Sequence, residues 1–258
     1  MKLKFCIYYS VYLLPLNRRG AKSSACGGLL MEVTMKKETP MSQAVKNNYR
    51  HLAETMSKEL TRRGHVPFYC ETAEEALAKV LELIPEGASV GVPGTVTIRE
   101  LGAIEALTSR GNRVVHHWNP AFTPEQRDDA RFEEMTCDAL LVSSNAITKN
   151  GVLVNIDGSG NRVAAMCWSR GDKIFVISMN KVCPDIESAI ARVRECATPP
   201  NALRLGYKTP CAVTGCHAKG GCVSPASLCR VVLVTEQAPT MPSGKKSYVI
   251  LVGEPLGY

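Results

Sequence analysis

Between residues 39 and 63, apolar side chains fall at Ala44, Val45, Leu52, Met56 and Leu60 with polar residues between them. That period predicts an amphipathic helix ending at Gly64. A short strand is expected over 65–70. Thr72, followed by Glu75, has the form of a capping box and opens a second helix through Ala76, Leu77, Val80, Leu81 and Ile84. Pro85-Glu86-Gly87 turns the chain into a buried strand over 88–92. The alternation then repeats: a helix over about 98–110, a strand over 113–117, and a helix begun by Thr123 with Pro124 in its first turn. Strands are expected over 138–143, 151–156 and 173–178, and a helix over 184–196. Beyond Thr198-Pro199-Pro200 the period is lost until two apolar strands at 228–236 and 247–252. Alternating strands and helices predict an α/β protein with a mainly parallel sheet and helices on both faces.

The composition adjusts this picture in two places. The 258 residues are 45% hydrophobic, enough for one large domain or two small ones, and no apolar run reaches the roughly 18 residues of a membrane span. Eleven cysteines in so long a chain point to a reducing, cytoplasmic setting rather than a disulfide scaffold. The start MKLKFCIYYSVYLLPL superficially resembles a signal peptide, and SSAC, ending at Cys26, a lipoprotein cleavage site. However, Pro15 interrupts the apolar run, and Arg18, Arg19 and Lys22 stand where small neutral residues should precede cleavage. Met31-Glu-Val-Thr-Met35 can be encoded by a purine-rich ribosome-binding sequence ahead of a start codon. Met35 is therefore expected to be the first residue, with 1–34 an upstream extension and 35–258 the domain. Without the five basic residues and one acidic residue of 1–34, the net charge drops from +7 to +3. Little basic excess is left for nucleic acid.

Two stretches suit an anionic ligand. Val90-Gly-Val-Pro-Gly-Thr-Val-Thr97 runs from a strand through a glycine loop into a helix, so Gly94, Thr95 and Thr97 stand near free N–H groups. A tight turn capped by Thr97 fits the same residues, and neither a P-loop nor a dinucleotide fingerprint is present. From Ser143 to Arg162, Asn145 and Thr148 follow one strand, and Asn155, Asp157, Ser159, Asn161 and Arg162 follow the next, across an Asn150-Gly151 hairpin turn. Small polar residues gathered beyond strand ends line crevices in α/β sheets, and Arg162 can clamp a carboxylate. On the bland alternative, Asp157 and Ser159 merely cap the next helix. Glu100 and Glu187 are candidate acids or bases, with solvated helix-face carboxylates as the favoured bland alternative. His116 and His117, adjacent on a strand, point opposite ways and do not chelate one metal together.

GVPGTVTIRELG, SSNAITKNGVLVNIDGSGNRVAA and MNKVCPDIESAIARVR, together with the ending ILVGEPLGY, resemble the LUD-domain family of lactate-utilisation proteins from about residue 40 onward. The resemblance implies a NagB/RpiA/CoA-transferase-like fold, that of sugar-phosphate isomerases and CoA-transferases. It also implies a role as a subunit or accessory factor in oxidising L-lactate, or a similar 2-hydroxy acid, to pyruvate alongside iron–sulfur subunits. No catalytic residue is carried over: Thr95, Asn145, Asp157, Asn161 and Arg162 match the motif as pocket residues. Two other functions stay open. One is a stand-alone transferase or isomerase acting on a phosphorylated or CoA-linked substrate; the other is a non-catalytic metal-binding regulatory protein.

Within the 199–230 insertion, Cys211, Cys216, Cys222 and Cys229 are spaced C-x4-C-x5-C-x6-C, with His217 beside the second. The C-x2-C pair of zinc ribbons is missing. Four thiolates on a glycine-containing loop suit soft metal chemistry, an iron–sulfur cluster or alternatively zinc, with redox disulfides or plain thiols as the other options. The association of relatives with electron transfer favours iron–sulfur.

Overall fold

The computed structural model of the chain describes residues 41–216, 222–240 and 242–258; the expected start at Met35 lies outside them. The first helical period forms α1 (Gln43–Arg62), capped by the Ser42 hydroxyl and burying Ala53, Met56 and Leu60. After β1 (Val66–Cys70) comes α2 (Ala73–Leu83), where the Thr72 hydroxyl accepts the Glu75 N–H. The Glu75 carboxylate accepts the N–H of Glu71, one residue earlier than in a standard capping box.

β2 (Ser89–Gly91) precedes the first departure from expectation. The single helix over 98–110 is two, α3 (Val96–Glu100) and α4 (Ala103–Ser109). Gly102 between them is left-handed, φ 70°, which breaks the hydrogen-bond ladder at no steric cost. β3 (Arg113–Val115) and α5 (Pro124–Glu134) follow, the latter with a complete Thr123–Gln126 capping box. β4 (Ala139–Val142) leads into a hairpin of β5 (Ala146–Thr148) and β6 (Leu153–Asp157), in which β5 was not expected. Next come α6 (Asn161–Trp168), β7 (Asp172–Ser178), β8 (Val182–Cys183) and α7 (Ile186–Arg192). Here the second departure occurs. The helix does not stop before the prolines but passes through a π-helical turn, Val193–Ala197, into α8 (Thr198–Arg204). Pro199 and Pro200 fall in the first turn of α8, where an N–H is dispensable. α9 (Pro210–Thr214), β9 (Val231–Thr235) and β10 (Ser247–Val252) complete the chain.

The main sheet has six strands in the order β1-β10-β7-β4-β2-β3, every pair parallel. Alternate side chains feed opposite faces. Ile174, Val176, Ile250 and Val252 pack with α2, α3 and α4. Phe175, Ile177, Val249 and Leu251 pack on the other face with α1, α6 and the β5–β6 hairpin. A second, mixed sheet, β8-β5-β6-β9, is covered by α7 and the π turn through Val154, Ala189 and Val193. Among the described residues no helix is long and apolar enough to cross a membrane.

The strand order reverses at β2. The chain goes outward from β2 to β3, then returns to β4 on the other side. Such a switch point opens a crevice at the carboxyl ends of the two flanking strands.

Candidate functional site

A cavity of about 420 Å³ occupies that crevice. Its wall includes Gly94, Thr95 and Thr97 after β2, His117 after β3, Ser143 and Asn145 after β4, and Asp157, Ser159, Asn161 and Arg162 after β6. Eight of the ten residues singled out from sequence therefore share one cavity. Thr148 and Asn155 do not reach it. Thr148 is fully buried; its hydroxyl bonds the Asn150 side chain and accepts the Val152 N–H at 2.9 Å, which holds the hairpin together. Asn155 stands behind the wall: its amide oxygen accepts the Asn145 N–H and its amide nitrogen donates to Ser144 Oγ, both at 3.0 Å.

The polar loop after β6 is largely self-satisfied. Asp157 Oδ2 accepts the N–H groups of Arg162 (3.0 Å) and Val163 (3.2 Å), and Oδ1 accepts that of Ser159 (3.3 Å). Its carboxylate thus caps the start of α6, whose formal cap is Gly160. Arg162 Nη2 donates to Asn145 Oδ1 (3.0 Å) and to the Ile156 carbonyl (2.6 Å), bracing Asn145 at the cavity edge. Burial pushes the Arg162 guanidinium below its ordinary pKa, opposed by Asp157.

The most unusual group in the wall is one the sequence did not single out. Lys181, just before β8, is 3% exposed. Its ammonium donates to Thr97 Oγ1 at 2.6 Å and to Ser143 Oγ at 3.1 Å. Burial first, then the charges of Arg192 and Arg162, push its pKa down to about 7. Among the described residues no carboxylate pairs with it.

A second unforeseen element is His117. Its ring Nδ1 and its backbone N–H both meet Glu134 Oε1 at 2.8 Å, and Glu134 is 1% exposed with Oε2 lacking a partner. A carboxylate facing Nδ1 leaves the proton there, so Nε2 is the proton-accepting nitrogen. Burial raises the Glu134 pKa, and His117 opposes the rise. The close approach of α5 to β2 sets this pair: a Cβ on Gly91 would stand 2.0 Å from the Glu134 carbonyl oxygen. Trp118 closes the same side, with the Arg99 guanidinium 4.3 Å above its ring and His116 stacked at 4.3 Å.

Arg99, Arg127, Arg131, Arg162, Lys181 and Arg204 all line the cavity, against Asp157 as the one acidic side chain among the described lining residues. Cationic side chains thus predominate in this wall.

The four clustered cysteines lie elsewhere. Cys211, Cys216, Cys222 and Cys229 line a second cavity of about 530 Å³, together with Arg194, Thr198, Ser227 and Leu228. Thr198 and Leu228 belong to both cavities. The nine described cysteines are all free thiols. Among the described residues, no three Cys, His, Asp or Glu side chains are gathered closely enough to hold a single ion.

The family model of the LUD domain matches residues 53–252. Among solved structures, the chain is similar to a DUF162 family protein from Deinococcus radiodurans, at 13% identity and TM-score 0.45, over 83% of this chain and 99% of that one. It also matches the translation initiation factor eIF-2B of Pyrococcus horikoshii OT3, at 13% identity and TM-score 0.31, over 54% and 66% of the two chains. No curated protein matches the sequence.

Proposed function

The chain belongs to the LUD-domain family, and on that premise we propose that its switch-point cavity binds a small carboxylate of the 2-hydroxy acid class. In this proposal the protein is a subunit or accessory factor in the oxidation of L-lactate, or a similar acid, to the 2-oxo acid. Lys181 is the observation that carries the reading. A buried ammonium satisfied by two hydroxyls, with no carboxylate paired to it among the described residues and only Glu100 acting on it without an ion pair, is costly to keep, and a ligand carboxylate entering beside it removes that cost. His117 Nε2, its tautomer held by Glu134, takes the substrate hydroxyl proton. Oxidation gives up two electrons and two protons. The electrons pass to iron–sulfur partner subunits, one proton to His117 and the other to solvent. Free thiols at all nine described cysteines suit the reducing, cytoplasmic setting that this role requires.

The test is calorimetric titration of the purified chain with L-lactate, pyruvate and oxalate. Wild type binds at least one of them, and Lys181→Met weakens that binding at least tenfold, about 1.4 kcal/mol, without lowering the melting temperature. Absence of binding by the folded wild type defeats the reading.

A second reading draws on the size and charge of the cavity. About 420 Å³ with five arginines in the wall exceeds the needs of a three-carbon acid and also suits a transferase or isomerase acting on a phosphorylated or CoA-linked substrate. Pyrophosphate or coenzyme A binding far more tightly than pyruvate would select it.

A further inference from the structure

Of the five arginines in the wall of the switch-point cavity, three are engaged with their own surroundings. Arg162 braces Asn145 and the Ile156 carbonyl, Arg131 pairs with Asp128, and Arg127 Nη2 reaches the Phe122 carbonyl at 3.4 Å. Arg99 and Arg204 stand apart. Both are exposed, unlike the buried Lys181, and neither meets a carboxylate among the described residues. Arg204 Nη2 donates to the neutral Asn201 Oδ1 at 2.8 Å. The Arg99 guanidinium lies 4.3 Å above the Trp118 ring.

Stacking on a ring orients a guanidinium without using its N–H groups, so the donor edge of Arg99 stays available. Trp118 is itself stacked on His116 at 4.3 Å, which steadies the platform. α3 and α8 thus bring two like charges to one wall, and burial first, then the charge of Arg204, pushes the Arg99 pKa down. Lys181 feels other cations, Arg192 and Arg162. The cavity therefore has two cationic centres, an inner one at Lys181 and an outer one at Arg99 and Arg204. Thr97, which accepts from Lys181, and Arg99 stand two positions apart in α3. Residues so spaced do not share a helix face, and their Cα atoms are about 5.4 Å apart. One carboxylate does not serve both centres.

We propose that Arg99 and Arg204 form a second oxyanion subsite in the outer wall of this cavity, so that its ligand is a 2-hydroxy acid carrying a distal carboxylate or phosphate. Forked guanidinium groups suit the paired oxygens of either group. The cavity volume of about 420 Å³ also leaves room that a three-carbon acid does not fill. In this arrangement the inner carboxylate meets Lys181, the hydroxyl faces His117, and the distal group reaches the two arginines. The inference rests on the hydroxy-acid reading for its inner half, whereas the outer subsite stands on the arginines alone.

The full chain is titrated calorimetrically, at one ionic strength, with L-lactate, glutarate, L-2-hydroxyglutarate and 3-phosphoglycerate. Wild type is compared with Arg99→Gln, Arg204→Gln and Arg62→Gln, the last an exposed arginine of α1 outside the cavity that controls for lost net charge. One of the two doubly anionic hydroxy acids is expected to bind about tenfold or more tightly than lactate, and which of them does so tells a distal carboxylate from a phosphate. Arg99→Gln and Arg204→Gln should each shrink that advantage by about threefold or more, and Arg62→Gln should keep it. Lactate binding as tightly as both overturns the subsite and leaves the hydroxy-acid reading intact. An advantage that survives both cavity substitutions, or falls equally in Arg62→Gln, also overturns the subsite. Glutarate binding as tightly as 2-hydroxyglutarate, yet weakened in Arg99→Gln, defeats the hydroxy-acid reading and leaves the subsite standing. Binding of none of the four overturns both.

Discussion

Lys181 and His65 are both buried bases, and pH acts on them in different ways. Lys181, pushed down to about 7 chiefly by burial, is an ammonium below that pH and an amine above it. Anion affinity should therefore fall as pH rises through about 7 in wild type and show no such step in Lys181→Met. Because the folded pKa lies below the ordinary lysine value, burying the protonated form costs stability, and the cost is largest below about 7. Lys181→Met should accordingly melt higher at pH 6, by about 1 kcal/mol or more. His65 bonds Ser247 Oγ at 2.9 Å, and burial holds its pKa down at about 4. Its stabilising contribution is present above the ordinary histidine pKa near 6.5 and is lost as pH falls toward 4, at most about 3 kcal/mol. Thermal melts of His65→Gln should lose less stability than wild type across that window. Of the site residues, Thr95, Asn145 and Asp157 were legible because they cluster in short polar stretches, although the carboxylate of Asp157 is spent on three N–H groups. Lys181, His117 and Glu134 were not, because each sits on a different element and acquires meaning only when the sheet brings the three to one cavity.

Two helices with threonine caps were read almost to the residue. α2 and α5 begin where Thr72 and Thr123 say they should. The breaks were harder. The apolar period runs through Leu101 and Ala103, so nothing in it announces that Gly102 splits the helix. At Pro199-Pro200 the reverse happened: the prolines looked like a stop but begin α8 after the π turn. That turn matters to the site because α8 supplies Asn201 and Arg204 to the switch-point cavity. The segment after β10 makes a comparable approach. Gly257, φ 64°, leaves no room for a Cβ, which would stand 2.5 Å from Thr97 Oγ1 and 3.2 Å from Lys181 Nζ. Gly257→Ala should displace the lysine and weaken anion binding severalfold at a stability cost of about 1–2 kcal/mol. Titration calorimetry paired with a melt separates the two effects.

Across the whole molecule, α/β alternation was readable from sequence, but the order of strands was not. Periodicity says which residues are buried and is silent on which strand lies beside which, so the switch point at β2, and with it the location of the cavity, had to come from the structure. The concentration of cations there gives a further expectation. Oxalate affinity should weaken steadily with added salt as screening grows, and titrations from low to high ionic strength measure the slope; a flat response would mean that the cations do not face the ligand.

β10 stands between β1 and β7, so an interior strand of the main sheet is the last of its six to leave the ribosome. Until Ser247–Val252 emerges, β1 and β7 each offer an open edge that nothing made earlier can fill. The domain therefore cannot close before that strand is made and has to be kept from aggregating until then. A premature stop before Ser247 would not yield a shortened domain but a client for chaperones and proteases.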